Sequence, residues 1–361
     1  MSGRPSNDVA WLAEVQRPPD RVPDSMPAPM PALQPLLTDG DGNPIDSLPE
    51  WQAKRAEIRR WWLDFLSPVS CLPSRVPTLE ILGEECLGAI TRQRVRYEVE
   101  PGSVTEAYLL KPTTPRTTAQ DCPSLDSPSL DSLLPGVVVF HSTVDESIDE
   151  PSGVVGPSPK NLGWGLAQRG FVALCPRNFL WPNNHRLSPR WQTFKQRCRH
   201  PRRKGMAKML LDAFVAVNIL SSLPEVDSDR LGTVGHSLGA KEALYLAALD
   251  ERIRVAASHE GGVGIRFSNW DAPWYLGRQV RRGTFRREHH ELMGLIAPRA
   301  FLLLGGDGFD GVQSWPFVEA VLPVYKLYET PARVGLYNHH QGHKFTTEAE
   351  QRIYEWFEAY G

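Results

Sequence analysis

The sequence predicts an α/β fold with a mostly parallel central sheet and helices on both of its faces. Three observations predict it. From Gly136 onward, short and wholly apolar runs alternate with helical segments, the pattern of parallel strands covered on both sides. The chain has 361 residues, 41% hydrophobic and 23% charged, ordinary values for a globular protein long enough to bury a large core. Its most informative loop, Gly235-His236-Ser237-Leu238-Gly239, falls between a strand and a helix, where open sheets of this kind build their sites.

The elements follow in order. Ten of the 32 prolines lie in residues 1–50. Each interior proline costs a helix about 3 kcal/mol, so 1–50 reads as an extended arm, wrapped over the body or loose, and 51–361 as the body. The first helix covers about 51–66, with Trp51, Ile58, Trp62 and Phe65 on one face. Runs at 91–99 and 104–110 read as strands that pair around Pro101-Gly102-Ser103. A tandem Pro-Ser-Leu-Asp-Ser repeat at 123–132 marks 113–135 as a low-complexity loop insertion. Strands at 137–140 and 171–174 flank a helix near 160–169. An amphipathic helix then carries Met206, Met209, Leu210, Ala213, Phe214 and Val217 and ends before Pro224. A strand at 231–234, a helix at 238–249 and a strand at 254–257 come next. Residues 259–298 form an excursion that could cap a site or line a pocket. The strand at 300–304, helix at 315–328, strand at 334–337 and helix at 347–360 complete the pattern.

Composition narrows the function. Lys+Arg 40 against Asp+Glu 42 leaves a net charge of -2 and a pI near 6.6, which argues against a nucleic-acid partner. No run of 18 apolar residues suggests a membrane span, and the first residues show no basic, then apolar, leader. The five cysteines, Cys71, Cys86, Cys122, Cys175 and Cys198, form no Cys-x-x-Cys pair and fit neither a disulfide framework nor a thiolate zinc site. A cytoplasmic location is expected.

The chemistry centres on Ser237. A sharp turn between strand and helix lifts a serine above the sheet, and flanking glycines let neighbouring backbone approach without a Cβ clash. The N–H of Leu238, opening the helix, would face a developing oxyanion. A serine hydroxyl needs a base. His339, His340 and His343 follow the last strand, and His343, between a glycine and the final helix, is the expected base. The i, i+4 spacing of His339 and His343 suits zinc on a helix, but this segment reads as a loop without a third ligand. The acid is expected at Asp310, with Asp307 and Glu260 as alternatives; each follows a later strand, and chain order puts the acid between serine and histidine. A second oxyanion donor is expected at the N–H of Thr143, in the His141-Ser142-Thr143 loop after the first parallel strand.

Together, Gly235–Gly239, the His141 loop, Gly305-Gly306-Asp307 and Gly342-His343 resemble the α/β-hydrolase superfamily, nearest its dienelactone hydrolase and acetyl xylan esterase-like branch. The resemblance covers roughly 90–361 and implies the α/β-hydrolase fold. Two positions depart from it: His141-Ser142 stands where His-Gly is commoner, and Ser237 replaces the cysteine of true dienelactone hydrolases. Glu260-Gly261-Gly262 resembles the loop that supplies the acid in glucuronoyl esterases. The resemblance implies hydrolysis of a small-molecule or carbohydrate ester through an acyl-enzyme, with no cofactor or metal. A prolyl-oligopeptidase-like peptidase and a catalytically silent binding protein are the alternatives.

Two features bear on the substrate. Residues 195–204 hold six Lys/Arg, and Arg278, Arg281, Arg282, Arg286 and Arg287 form a second cluster. Either these are solvated surface, or they rim the site and favour acidic esters. Trp270, Trp274, Tyr275 and Phe285, like Trp181, Trp191 and Phe194, either line a pocket or pack their loops onto the body.

Overall fold

The computed structural model describes residues 8–19, 33–66, 75–113, 133–181 and 189–361. Cys71, Cys122 and the tandem repeat lie outside the described residues. The strands are β1 (Glu80–Leu87), β2 (Ile90–Glu100), β3 (Ser103–Pro112), β4 (Leu134–Phe140), β5 (Val172–Pro176), β6 (Val226–His236), β7 (Ile253–His259), β8 (Ala300–Gly305) and β9 (Val334–Asn338). They form one sheet in the order β1-β2-β3-β5-β4-β6-β7-β8-β9. The first three are antiparallel, as is the β3–β5 pair. From β5 to β9 every pairing is parallel.

The apolar strands explain the two covered faces. Along β4, Val138 and Phe140 enter one core with the helices α2 (Leu48–Leu66), α5 (Gly205–Ser222), α6 (Leu238–Leu249), α7 (His290–Ile296) and α8 (Trp315–Lys326). Val137 and Val139 point the other way, towards α1 (Leu12–Val15), α3 (Leu162–Ala167) and α9 (Thr347–Tyr360). The same split recurs in β8, with Phe301 and Leu303 on one face and Ala300, Leu302 and Leu304 on the other. Burying each large side chain stabilises the fold by about 1.5–3 kcal/mol, so a strand apolar on both faces is held in register from both sides.

Several elements depart from the sequence reading. β1 is wholly exposed at the sheet edge, so no burial period marks it. A further helix, α4 (Pro189–Arg199), occupies a stretch read as loop. The strand β4 starts at Leu134, inside the expected insertion. The described parts of the arm are wrapped onto the body: Trp11, Val15, Leu36 and Ile45 are all buried. Helix α5 is long and apolar enough to cross a bilayer by length and composition, but 78% of it is buried inside the protein.

Candidate active site

The parallel register brings the carboxyl ends of β4, β6, β7 and β8 side by side, with Phe140 opposite Gly235, His236 opposite His259, and His259 opposite Leu304. Ser237 follows at once. Its φ of 57° and ψ of -108° are unusual for a residue with a side chain. The turn holds because the Ser237 N–H donates to the His259 carbonyl at 2.9 Å. Both glycines are needed: a Cβ on Gly235 would overlap the Gly239 backbone, and one on Gly239 would overlap the Phe140 carbonyl. Leu238 is the first residue of α6, so its N–H precedes the helical hydrogen-bond ladder.

The structure brings Ser237, His343 and Glu260 together. The Ser237 hydroxyl lies 3.1 Å from Nε2 of His343, and Nδ1 of His343 lies 3.0 Å from Oε2 of Glu260. Glu260 is fully buried. Its Oε1 accepts from the N–H groups of Gly306 (2.5 Å) and Gly308 (3.3 Å), and its Oε2 from that of Phe309 (2.6 Å). Three backbone donors fix this carboxylate in place. Gly308 permits this cradle, since a Cβ there would overlap Oε2 of Glu260.

The expectation for the acid is therefore corrected. Asp310 does not reach His343. Its carboxylate accepts from the N–H groups of Gly262 and Val263, both at 2.7 Å, and from the Ser314 hydroxyl at 2.8 Å. Burial, with Glu260 nearby, raises its pKa to about 6. Asp310 thus pins the turn that follows Glu260. Asp307 faces away as well, accepting from Asn338 at 2.7 Å and pairing with Nδ1 of His340 at 2.6 Å.

Beneath the site runs a chain of imidazoles that the sequence reading missed. The Gln341 N–H donates to Nδ1 of His339 at 3.2 Å, which places the proton of a neutral His339 on Nε2. That Nε2 meets Nε2 of His259 at 3.1 Å, and Nδ1 of His259 meets Nδ1 of His236 at 2.7 Å. One backbone donor so sets every tautomer: His339 donates to His259, which donates to His236. The His236 ring lies 4.8 Å from that of His343, at 31°. Burial first, then the neighbouring imidazoles, hold His236 and His259 well below the usual histidine pKa.

The loop after β4 is organised by another histidine. Nδ1 of His141 donates to the Ser142 carbonyl at 2.7 Å, and Nε2 accepts from the Asn178 N–H at 3.1 Å. Burial lowers its pKa to about 4. The Ser142 N–H is taken by Glu150 at 3.3 Å. Thr143 is exposed, and its N–H has no partner among the described residues.

Lys241, one turn into α6, is also new. It donates to the Gly261 carbonyl and, at 3.0 Å, to the Ser268 hydroxyl, with Trp270 4.8 Å away. Burial outweighs the attraction of Asp310 and Glu260 and brings its pKa down to about 7. The adjacent Lys241-Glu242 pair in the otherwise apolar helix start 238–244 was the available signal. Trp270 and Tyr275 are buried around it, so these aromatics pack the 259–298 excursion onto the body. Trp191 and Phe194 stack on each other at 5.4 Å and stay exposed. The basic residues of 195–204, together with Arg278 of the second cluster, line cavities that include neither Ser237 nor His343.

Comparison with known proteins bears on the fold. Residues 128–272 match the Dienelactone hydrolase family. The Bacillus subtilis (strain 168) protein YtaP, whose name is that of a hydrolase, is 32% identical over 105 residues. That match spans 27% of this chain and about a third of YtaP, 34%. A glucuronoyl esterase from Solibacter usitatus superposes with a TM-score of 0.68 at 16% identity, covering 92% of this chain and 98% of that one. A glucuronoyl esterase from Teredinibacter turnerae T7901 gives 0.63 at 18%, covering 90% and 88%. The chain thus has the α/β-hydrolase fold and resembles the dienelactone hydrolase and acetyl xylan esterase-like branch of that superfamily.

Proposed function

We propose that this chain is a carboxylic ester hydrolase working through an acyl-enzyme on Ser237. The observation that carries the reading is the continuous hydrogen-bond chain from Ser237 through His343 to Glu260. Ser237 Oγ attacks the ester carbonyl as its proton passes to Nε2 of His343, and Glu260 stabilises the imidazolium that forms. The N–H groups of Leu238 and Thr143 hold the oxyanion. The tetrahedral adduct expels the alcohol, which takes the proton from His343. Water, deprotonated by the same histidine, then attacks the acyl group and releases the acid and free Ser237.

The substrate class is a carbohydrate-linked or anionic ester. Its support is the glucuronoyl esterases that share the fold.

Fluorophosphonate labelling with peptide mapping tests the mechanism. Label on Ser237 is expected, lost in His343→Ala and slowed by about 10²–10⁴ in Glu260→Gln. Asp310→Asn should label near the normal rate per folded molecule. An unlabelled but folded wild-type protein would refute the reading, and a slow Asp310→Asn with a fast Glu260→Gln would refute the choice of acid. A panel of neutral and uronate esters then ranks substrates.

A further inference from the structure

Two basic segments far apart in sequence meet in one cavity away from the serine. It has a volume of about 640 Å³ and is lined by Arg190 and Arg197 of α4, by Arg202, Arg203 and Lys204 before α5, and by Arg278 of the excursion. Asp271 is the acid in this lining, and Arg281 holds it at 3.1 Å. Arg203 is paired with Glu100 at 2.7 Å. Arg190, Arg197, Arg202 and Lys204 form no ion pair with a carboxylate among the described residues, and Arg278 joins Arg281 in acting on Asp271.

The surroundings add to the positive field. Lys204 is half-buried, with its ammonium 4.4 Å from the Phe65 ring. Burial and the adjacent Arg197 lower its pKa from the ordinary lysine value, the mark of a charge without a counter-charge. Lys204 is also the N-cap of the 18-residue helix α5 and makes no side-chain cap bond, while the Met206 N–H of that helix end donates to the Tyr275 carbonyl at 3.2 Å. Uncompensated like charges in a concavity raise its energy until an anion enters, and guanidinium groups match the oxygens of phosphate and carboxylate in pairs. Helices α4 and α5 connect β5 to β6, and Tyr275 of the excursion forms part of the cavity wall.

We propose that this cavity binds a small multivalent oxyanion, a molecule bearing two or more phosphate or carboxylate groups, at a site separate from the catalytic serine. The cations act jointly, so affinity falls with salt and with each one removed.

Isothermal titration of the full-length protein with inorganic pyrophosphate and with citrate, at fixed ionic strength, tests this. Saturable one-to-one binding is expected, weakened about tenfold in Arg202→Gln and lost in Arg197→Glu/Arg278→Glu. The double variant should also show a higher Tm than the wild type without ligand, because like charges are gone. Its hydrolysis of p-nitrophenyl acetate should be unchanged, which reports an intact fold independently of the anion site. Tighter binding of pyrophosphate identifies a phosphate ligand, and tighter binding of citrate a polycarboxylate. No saturable heat with either anion, or undiminished binding by the double variant, overturns the proposal. Repeating the titration with Ser237→Ala separates the site from the esterase reading, since binding must persist there.

Discussion

Lys241 is a buried lysine next to the proposed catalytic groups, and pH should expose its charge. In the folded protein its proton leaves near pH 7, whereas an unfolded lysine keeps it to about 10.4. Between those values the unfolded state binds one proton more, so stability rises with pH, and the burial penalty is complete below pH 7. Replacing Lys241 by Met keeps the apolar stem and removes the titration. Urea unfolding at pH 8, 9 and 10 should show Lys241→Met ahead of wild type at pH 8, with the gap closing by about 1.4 kcal/mol per pH unit. A constant gap would mean an ordinary lysine. Ser237, His343 and the Leu238 helix start were legible from the turn chemistry around them. Sequence alone sets Asp310 ahead of Glu260. The advantage of Glu260 is three backbone N–H groups from 306–309, which converge only once β7 and β8 lie side by side. The His339-His259-His236 chain likewise joins residues from three separate strand ends.

The turn from β6 into α6 concentrates strain in one short element. Ser237 holds a positive φ, and the helix start lies against the end of β4 only because Gly239 has no Cβ. Gly239→Ala would push backbone against backbone, which no rotamer change relieves. It should destabilise the protein by about 1–3 kcal/mol, and the folded fraction should hydrolyse p-nitrophenyl acetate far more slowly because the Leu238 N–H moves. Chemical unfolding together with activity per folded molecule measures both. Normal activity per folded molecule would show that the close approach does not set the oxyanion geometry. This element was readable because glycine spacing reports a backbone need. The edge strand β1 was not, since Glu80–Leu87 buries nothing and pairs through backbone alone. Helix α4 was hidden by its charge, with Gln192, Thr193 and Gln196 as its buried residues rather than an apolar stripe.

At the scale of the whole molecule, the described parts of the proline-rich start belong to the packing. Trp11 stacks on Trp356 at 5.7 Å and its indole N–H donates to Glu355 at 2.6 Å. Val15 fills the space left by Gly335, where a Cβ would collide with it. On the opposite face Leu36 and Ile45 join the core formed by α2, α5, α6, α7 and α8. The sequence left the arm either wrapped or loose, because prolines exclude a long helix without saying where isolated apolar side chains dock. If the arm were loose, Trp11→Ala would change stability by less than about 0.5 kcal/mol, as surface substitutions do. As a core contact it should cost about 3–5 kcal/mol. The loss should appear in a single cooperative urea transition, because α1 shares a core with α3, α9 and β8. Two separate transitions, the first including only Trp11, would instead make the N-terminal segment an independent unit resting on the sheet.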